Sequence, residues 1–103
     1  MSVKVSFTTL ARIGGAANMA YGVCRRSETL ELLGTTTQGA KHDEYVVITS
    51  TETSVVCVAV GSAPDATATD ATTTTSASIA IAPNDSMLIA TKFGDKVNVQ
   101  AFA

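Results

Sequence analysis

The sequence predicts an all-β protein, a single small sandwich or barrel of about seven to eight short antiparallel strands with an N-terminal arm. Three observations carry this. Apolar residues alternate or run in short β-branched blocks, and no segment keeps a 3.6-residue apolar period for three turns. The composition is β-branched, with 16 Thr and 11 Val among 103 residues, no Trp and two Pro. Gly, Thr, Asp and Pro clusters separate the runs at short intervals, as turns do. The length suits one domain, residues 1–103.

Residues 2–7 read Ser-Val-Lys-Val-Ser-Phe, which places Val3, Val5 and Phe7 on one face of a half-buried strand. Alternation is lost over residues 8–18, where Gly14-Gly15 suggests a loop; residues 1–20 are expected to be an extended arm plus the first strand. Residues 19–24 suit a short strand, weakened by Gly22. Residues 27–33 favour another, with Leu30 and Leu32 on one face, because position 30 is Leu and the capping-box spacing from Ser27 fails. Residues 34–39 then form a loop. Residues 44–50 and 54–60 are the two strongest strands, and Thr51-Glu52-Thr53 between them suits a hairpin. Their unbroken apolar runs predict burial on both faces, against a second sheet or a neighbouring subunit. Residues 61–76 are a long Thr/Ala-rich loop without a large apolar side chain, and loops of this length are usually functional or mobile. Residues 78–82 alternate, 83–86 turn, 87–92 form a strand and 93–96 turn again. The last strand, 97–102, sets Val97, Val99 and Ala101 against Asn98, Gln100 and Phe102.

Composition also argues against several functions. Seven basic and nine acidic residues give a net charge of −2, unlike a nucleic-acid binder. The longest apolar run, residues 55–60, falls far short of the ~20 residues a membrane helix needs, and the N-terminus lacks a secretory pattern. Neither nucleic acid nor membrane is therefore expected as a partner. Cys24 and Cys57 are expected to be separate reduced thiols, Cys57 packing as a small hydrophobe.

No residue set suggests chemistry. His42 lies between Lys41 and the carboxylates Asp43 and Glu44, but neighbours on an extended chain point to opposite faces, so the expected role is a solvated loop tip. Ser and Thr abound without a nucleophile elbow. Asp65, Asp70, Asp85 and Asp95 sit where turns are expected and lack the spacing of a calcium loop. Arg25-Arg26 is expected to be surface charge or half of an inter-subunit ion pair. The glycines match no nucleotide-binding pattern. No catalytic, cofactor or metal residues are assigned, and the chain is not expected to be an enzyme.

Residues 55–69, Val-Val-Cys-Val-Ala-Val-Gly-Ser-Ala-Pro-Asp-Ala-Thr-Ala-Thr, followed by 78–82, the 83–86 turn, 87–91 and Gly94-Asp95-Lys96-Val97, resemble a strand-and-loop pattern in small virion proteins of tailed bacteriophages. The resemblance spans about residues 44–103 and brings no catalytic residue. It implies a β-sandwich on the virion, first of all a capsid decoration (cement) protein bound at capsomer junctions. The implied partners are the major capsid protein and copies of itself, in an oligomer such as a trimer. The chain would be made in the bacterial host cytoplasm and reside on the capsid surface. Residues 1–20 and 61–76 are the expected inter-subunit contacts. The alternative is a head–tail, tail or fibre-associated module that recognises a glycan or receptor. Low charge on the apolar strands fits surfaces covered by other subunits.

Overall fold

The computed structural model describes residues 2–12, 19–31 and 34–102, which form eight strands in two four-stranded antiparallel sheets. In chain order they are β1 (Val3–Arg12), β2 (Met19–Leu30), β3 (Gly34–Thr35), β4 (Tyr45–Ser50), β5 (Val56–Gly61), β6 (Ile79–Ile81), β7 (Ser86–Ala90) and β8 (Lys96–Ala101). One sheet runs β2-β1-β4-β7 and the other β3-β8-β5-β6. The result is the all-β sandwich that the alternation predicts.

Alternation sets the core. Val3, Val5 and Phe7 from β1 and Val46 and Ile48 from β4 face Val56 and Val58 from β5 and Val97 and Val99 from β8, all buried. Ile81 and Ala40 close the sides, and Leu30, Val60, Met87 and Ile89 pack at the margins. Burying one such Val or Phe side chain stabilises the fold by about 1.5–3 kcal/mol. Three turns rely on residue types that tolerate positive φ. Asp43 (φ 63°), Asn84 (φ 57°) and Gly94 (φ 88°) each stand third in a turn, closed by hydrogen bonds from Glu44 to Lys41, Asp85 to Ala82 and Asp95 to Lys92.

Four local expectations change. Residues 8–12, expected to be loop or arm, continue β1 and pair with β2; residues 13–18 lie outside the described residues. The two strands expected at 19–24 and 27–33 are one strand, β2, which ends at Leu30; Leu32 lies outside the described residues. The 34–39 loop begins as β3, whose Gly34 and Thr35 pair with Val99 and Asn98 of β8. Finally, β4 and β5 do not form a hairpin. They lie in different sheets, and residues 51–55 carry the chain across the sandwich. Both strands are apolar enough to line the same core from opposite sides, which a hairpin would prevent.

The expected two-sided burial fails for β4, whose outer-face Tyr45 and Val47 are half-buried and Thr49 exposed, and holds for β5, where Ala59 and Gly61 are buried on the outer face by the chain's own loop. Ala59 is buried opposite Asn98 of β8, which the 62–78 loop reaches. Val60 N–H donates to Ser76 Oγ (3.0 Å), Ser76 N–H to Val60 O (2.8 Å) and Ala63 N–H to Thr74 O (3.0 Å). Asn98 on β8, also buried, accepts from Ala66 N–H (2.9 Å) and donates to Gly34 O (3.2 Å) and Thr35 Oγ1 (2.8 Å). The loop is thus a lid hydrogen-bonded to the sheet, with its own Ala66 and Thr75 buried.

Gly61 permits this approach. A Cβ there would collide with the backbone of Thr74 and stand 2.8 Å from Thr75 Cα. Gly61→Ala is expected to cost about 1–3 kcal/mol by overpacking. It is also expected to open residues 62–78 to protease. Urea melts and limited proteolysis check both, and an unchanged midpoint with a protected loop would contradict the account.

Candidate functional site

Glu44 is the best-connected polar residue of the described chain, and it works as a structural hub. It precedes β4 in phase with Val46 and Ile48, so its side chain turns inward and is fully buried. Its Oε2 accepts from Arg26 Nη1 (3.1 Å) and Arg25 Nη1 (3.4 Å), and its Oε1 accepts from Arg26 Nη2 and Lys41 N–H (2.8 Å). Its carbonyl accepts from Thr91 Oγ1 (2.9 Å). Arg26 Nη2 also donates to Gly39 O (3.1 Å), and its guanidinium carbon lies 4.8 Å from the Phe7 ring centroid. Arg26 Nε is buried without a hydrogen-bond partner, a local cost within an otherwise satisfied group. Burial works to raise the Glu44 pKa, but the Arg26 hydrogen bonds, the Lys41 amide, the Arg26 charge and the Arg25 hydrogen bond outweigh it and hold the carboxyl below its ordinary value.

A bulge explains how two consecutive arginines reach one carboxylate. Phe7 pairs with Arg26 and Thr8 pairs with Cys24, so Arg25 is an extra residue in β2. Side chains of a regular strand alternate between faces, and an inserted residue breaks that alternation. A second shift lies between Thr8 and Leu10, which pairs with Tyr21. The two insertions account for β2 having 12 residues against 10 in β1. The expectation that Arg25-Arg26 is surface charge or an inter-subunit pair is therefore corrected: both pair with Glu44 inside the chain, although Arg25 remains partly exposed.

The other singled-out residues serve turns. His42 is exposed, with its ring 4.8 Å from the exposed Phe93 ring. It stands beside no general-acid partner, since Glu44 is committed inward. Asp65 Oδ1 accepts from Thr67 N–H (2.9 Å) and Oγ1 (2.6 Å), Asp85 Oδ1 from Ser86 N–H (2.8 Å), and Asp95 Oδ2 from Lys92 N–H (2.9 Å). Asp65 forms an Asx turn, as turn chemistry predicts, and Thr67 holds its carboxyl below its ordinary value; Asp85 and Asp95 accept from amides one residue on and three residues back within their turns. Asp70 is exposed. Glu28, which the sequence did not single out, clamps the turn after β3 by accepting from Thr37 N–H (3.0 Å), Thr37 Oγ1 (2.9 Å) and Gln38 N–H (3.0 Å). Burial opposes ionisation of Glu28, and those hydrogen bonds lower its pKa overall. Cys24 is exposed, Cys57 is half-buried, and both are free thiols. Among the described residues no three His, Cys, Asp or Glu side chains group as a metal site.

What is left open is a surface. The 62–78 loop reaches Asn98 on the outer face of the β3-β8-β5-β6 sheet, whereas among the described residues no segment lies over the Lys4 and Ser6 rows on the outer face of the β2-β1-β4-β7 sheet. Register places Thr29, Lys4, Thr49 and Ser86 in one row across that face, and Ser27, Ser6, Val47 and Leu88 in the next. Lys4 is the single charge in the two rows. A shallow depression of about 190 Å3 lined by Ser6, Thr8, Gly22, Cys24 and Val47 adjoins them. Leu88 and Val23 are exposed, and β7 ends the sheet with an uncharged edge. No family model matches the chain, and no curated protein and no solved structure matches it.

Proposed function

We propose that this chain is a structural virion protein of a tailed bacteriophage, a capsid decoration (cement) protein that binds capsomer junctions and stabilises the head. The observation that carries this reading is the outer face of the β2-β1-β4-β7 sheet, which among the described residues is uncovered over its Lys4 and Ser6 rows, has one charge in those rows and ends in an uncharged edge strand. Surfaces with few charges suit protein partners, because charged groups are depleted at the cores of interfaces. The phage pattern over residues 55–97 supplies the identity of the partner, the major capsid protein. The action is mass action, not catalysis. A ligand that binds only the intact shell stabilises it by about 2.7 kcal/mol per site at a hundredfold excess over Kd. The β1–β2 ribbon takes the place of the expected arm as the N-terminal contact element, and exposed residues 71–74 of the lid are the second.

The test mixes purified protein with undecorated capsids built from the major capsid protein of the source phage. Co-sedimentation and a higher capsid melting temperature are expected. Ser27→Glu, exposed on the bare face in the row that carries no charge, is expected to weaken binding at least tenfold while the fold stays intact, because a buried unpaired carboxylate is costly. Absence of binding by the wild type would sink the reading. One observation favours the rival, a fibre-associated module for glycans or receptors: the exposed Phe93 against His42 offers a small aromatic platform. Glycan-array binding that Phe93→Ala abolishes, without capsid binding, would replace the first reading with this one.

A further inference from the structure

The hydrogen-bond phase of β4 shows which backbone groups of β7 are left over. In an antiparallel pair, directly opposed residues alternate between those that exchange both backbone bonds and those that exchange none. Thr51 N–H donates to Ser2 O (3.0 Å), so Thr51, Thr49, Val47 and Tyr45 of this run bond toward β1. Ser50 N–H donates to Asp85 O (2.9 Å), so Ser50, Ile48 and Val46 bond toward β7. The two observations agree. Met87 and Ile89, opposite Ile48 and Val46, therefore spend their N–H and C=O groups on β4. Ser86, Leu88 and Ala90 direct theirs away from the sheet. Ser86 N–H is taken by Asp85 Oδ1, which among the described residues leaves the N–H groups of Leu88 and Ala90 and three carbonyls on the edge.

That edge is self-complementary. We propose that β7 pairs antiparallel with β7 of a second copy about a two-fold axis normal to the sheet at Leu88, which joins the two sheets into one of eight strands. Leu88 N–H and C=O then bond Leu88 of the partner subunit, and Ala90 N–H bonds the carbonyl of Ser86 of the partner subunit, reciprocally. Opposed residues share a face, so the side chains match on both. Outside, Val47 and Leu88 meet Leu88 and Val47 of the partner subunit in one apolar row. Inside, Met87 faces Ile89 of the partner subunit and Ile89 faces Met87 of the partner subunit. Both are half-buried at the core margin, and pairing carries the core across the junction. Strand Ser86–Ala90 has no charged side chain, so two copies approach without like-charge repulsion. An isologous contact of this kind closes after two copies. The pair involves the isolated protein alone and does not rest on the capsid reading.

Residue-resolved amide exchange on the wild-type protein at low and high concentration is the direct test. Leu88 and Ala90 amides are expected to slow at least tenfold at high concentration, while Met87 and Ile89 stay protected at both. Sedimentation is expected to show dimers that Leu88→Lys shifts to monomers by at least tenfold in dissociation constant, with Glu31→Lys, beyond β2 at the opposite edge, leaving them unchanged. If Leu88→Lys does not fold, the wild-type exchange pattern decides alone. A monomer at every concentration, or a Leu88 amide that exchanges freely within a dimer, overturns the proposal. Either result leaves capsid binding to its own assay.

Discussion

Glu44→Ala is expected to lower stability by about 3 kcal/mol, the low end of the range for breaking a buried ion pair. The low end applies because the Arg26 side chain keeps 20% of its exposure and can reach water once released. For a domain of this size the melting temperature should fall by roughly 12 °C or more. The loss is distributed over the molecule. Arg26 and Arg25 anchor β2, the Lys41 amide anchors the turn before β4, and Thr91 anchors the connection from β7 to β8. Glu44→Gln retains the shape and one acceptor, and is expected to cost less than alanine. Thermal melts of the two variants check the order. If Glu44→Ala melts within a few degrees of wild type, the hub is not what holds these elements together.

The same carboxylate sets part of the pH dependence. Its folded pKa is lowered from an ordinary value of 4.5, and so is that of Glu28. A group with a depressed folded pKa contributes stability that is present above its unfolded value and is lost as pH falls through the folded one. Stability should therefore be flat on this account above about pH 5 and decline below about pH 4.5. Glu44→Gln and Glu28→Gln should each reduce the steepness of that decline. Urea midpoints measured from pH 6 to pH 3 check it, and an unchanged acid slope in both variants would contradict the assignment.

The sandwich was legible wherever a strand has one face in the core and a regular ladder. Val3-Lys4-Val5-Ser6-Phe7 and Val97-Asn98-Val99 alternate because alternate residues meet the opposite sheet. Legibility ended where the cause is not local. The bulge that sets Arg25 and Arg26 on one carboxylate depends on the register between β1 and β2, which no spacing in the sequence records. The phase of Glu44 with Val46 and Ile48 was visible, and would have placed its side chain inward, but its partners lie 18 and 19 residues away. Residues 51–55 are as short as a hairpin connection, so length alone could not separate a turn from a crossing between sheets. The Thr/Ala-rich lid looks mobile in sequence because its small side chains carry no pattern. Those same small side chains let its backbone approach Gly61 and Asn98 closely enough to bond. The bare face was legible only as a shortage of charge, and it took the register to show which face that shortage concerns.

Phe7→Ala is expected to cost about 3–5 kcal/mol, comparable to much of the net stability of an ordinary small domain. Phe7 is fully buried, and lies between Arg26 of β2 and Val46 of β4 in the register. Its ring therefore has two roles, core packing on one side and a platform for the guanidinium carbon 4.8 Å from its centroid on the other. Phe7→Leu separates them. Leucine keeps most of the apolar volume and removes the ring face, so its deficit against wild type measures mainly the cation–π contact, about 0.5–2 kcal/mol. The further loss from Leu to Ala measures the cavity. Because Arg26 touches both Phe7 and Glu44, Phe7→Leu and Glu44→Gln should not add; a coupling of at least about 0.5 kcal/mol is expected in a double-mutant cycle by urea denaturation. Full additivity would mean that the core and the ion-pair hub are independent. Coupling would mean that the one ring ties the centre of the sandwich to the base of the β1–β2 ribbon, so that the ribbon's angle is set by the packing of the core.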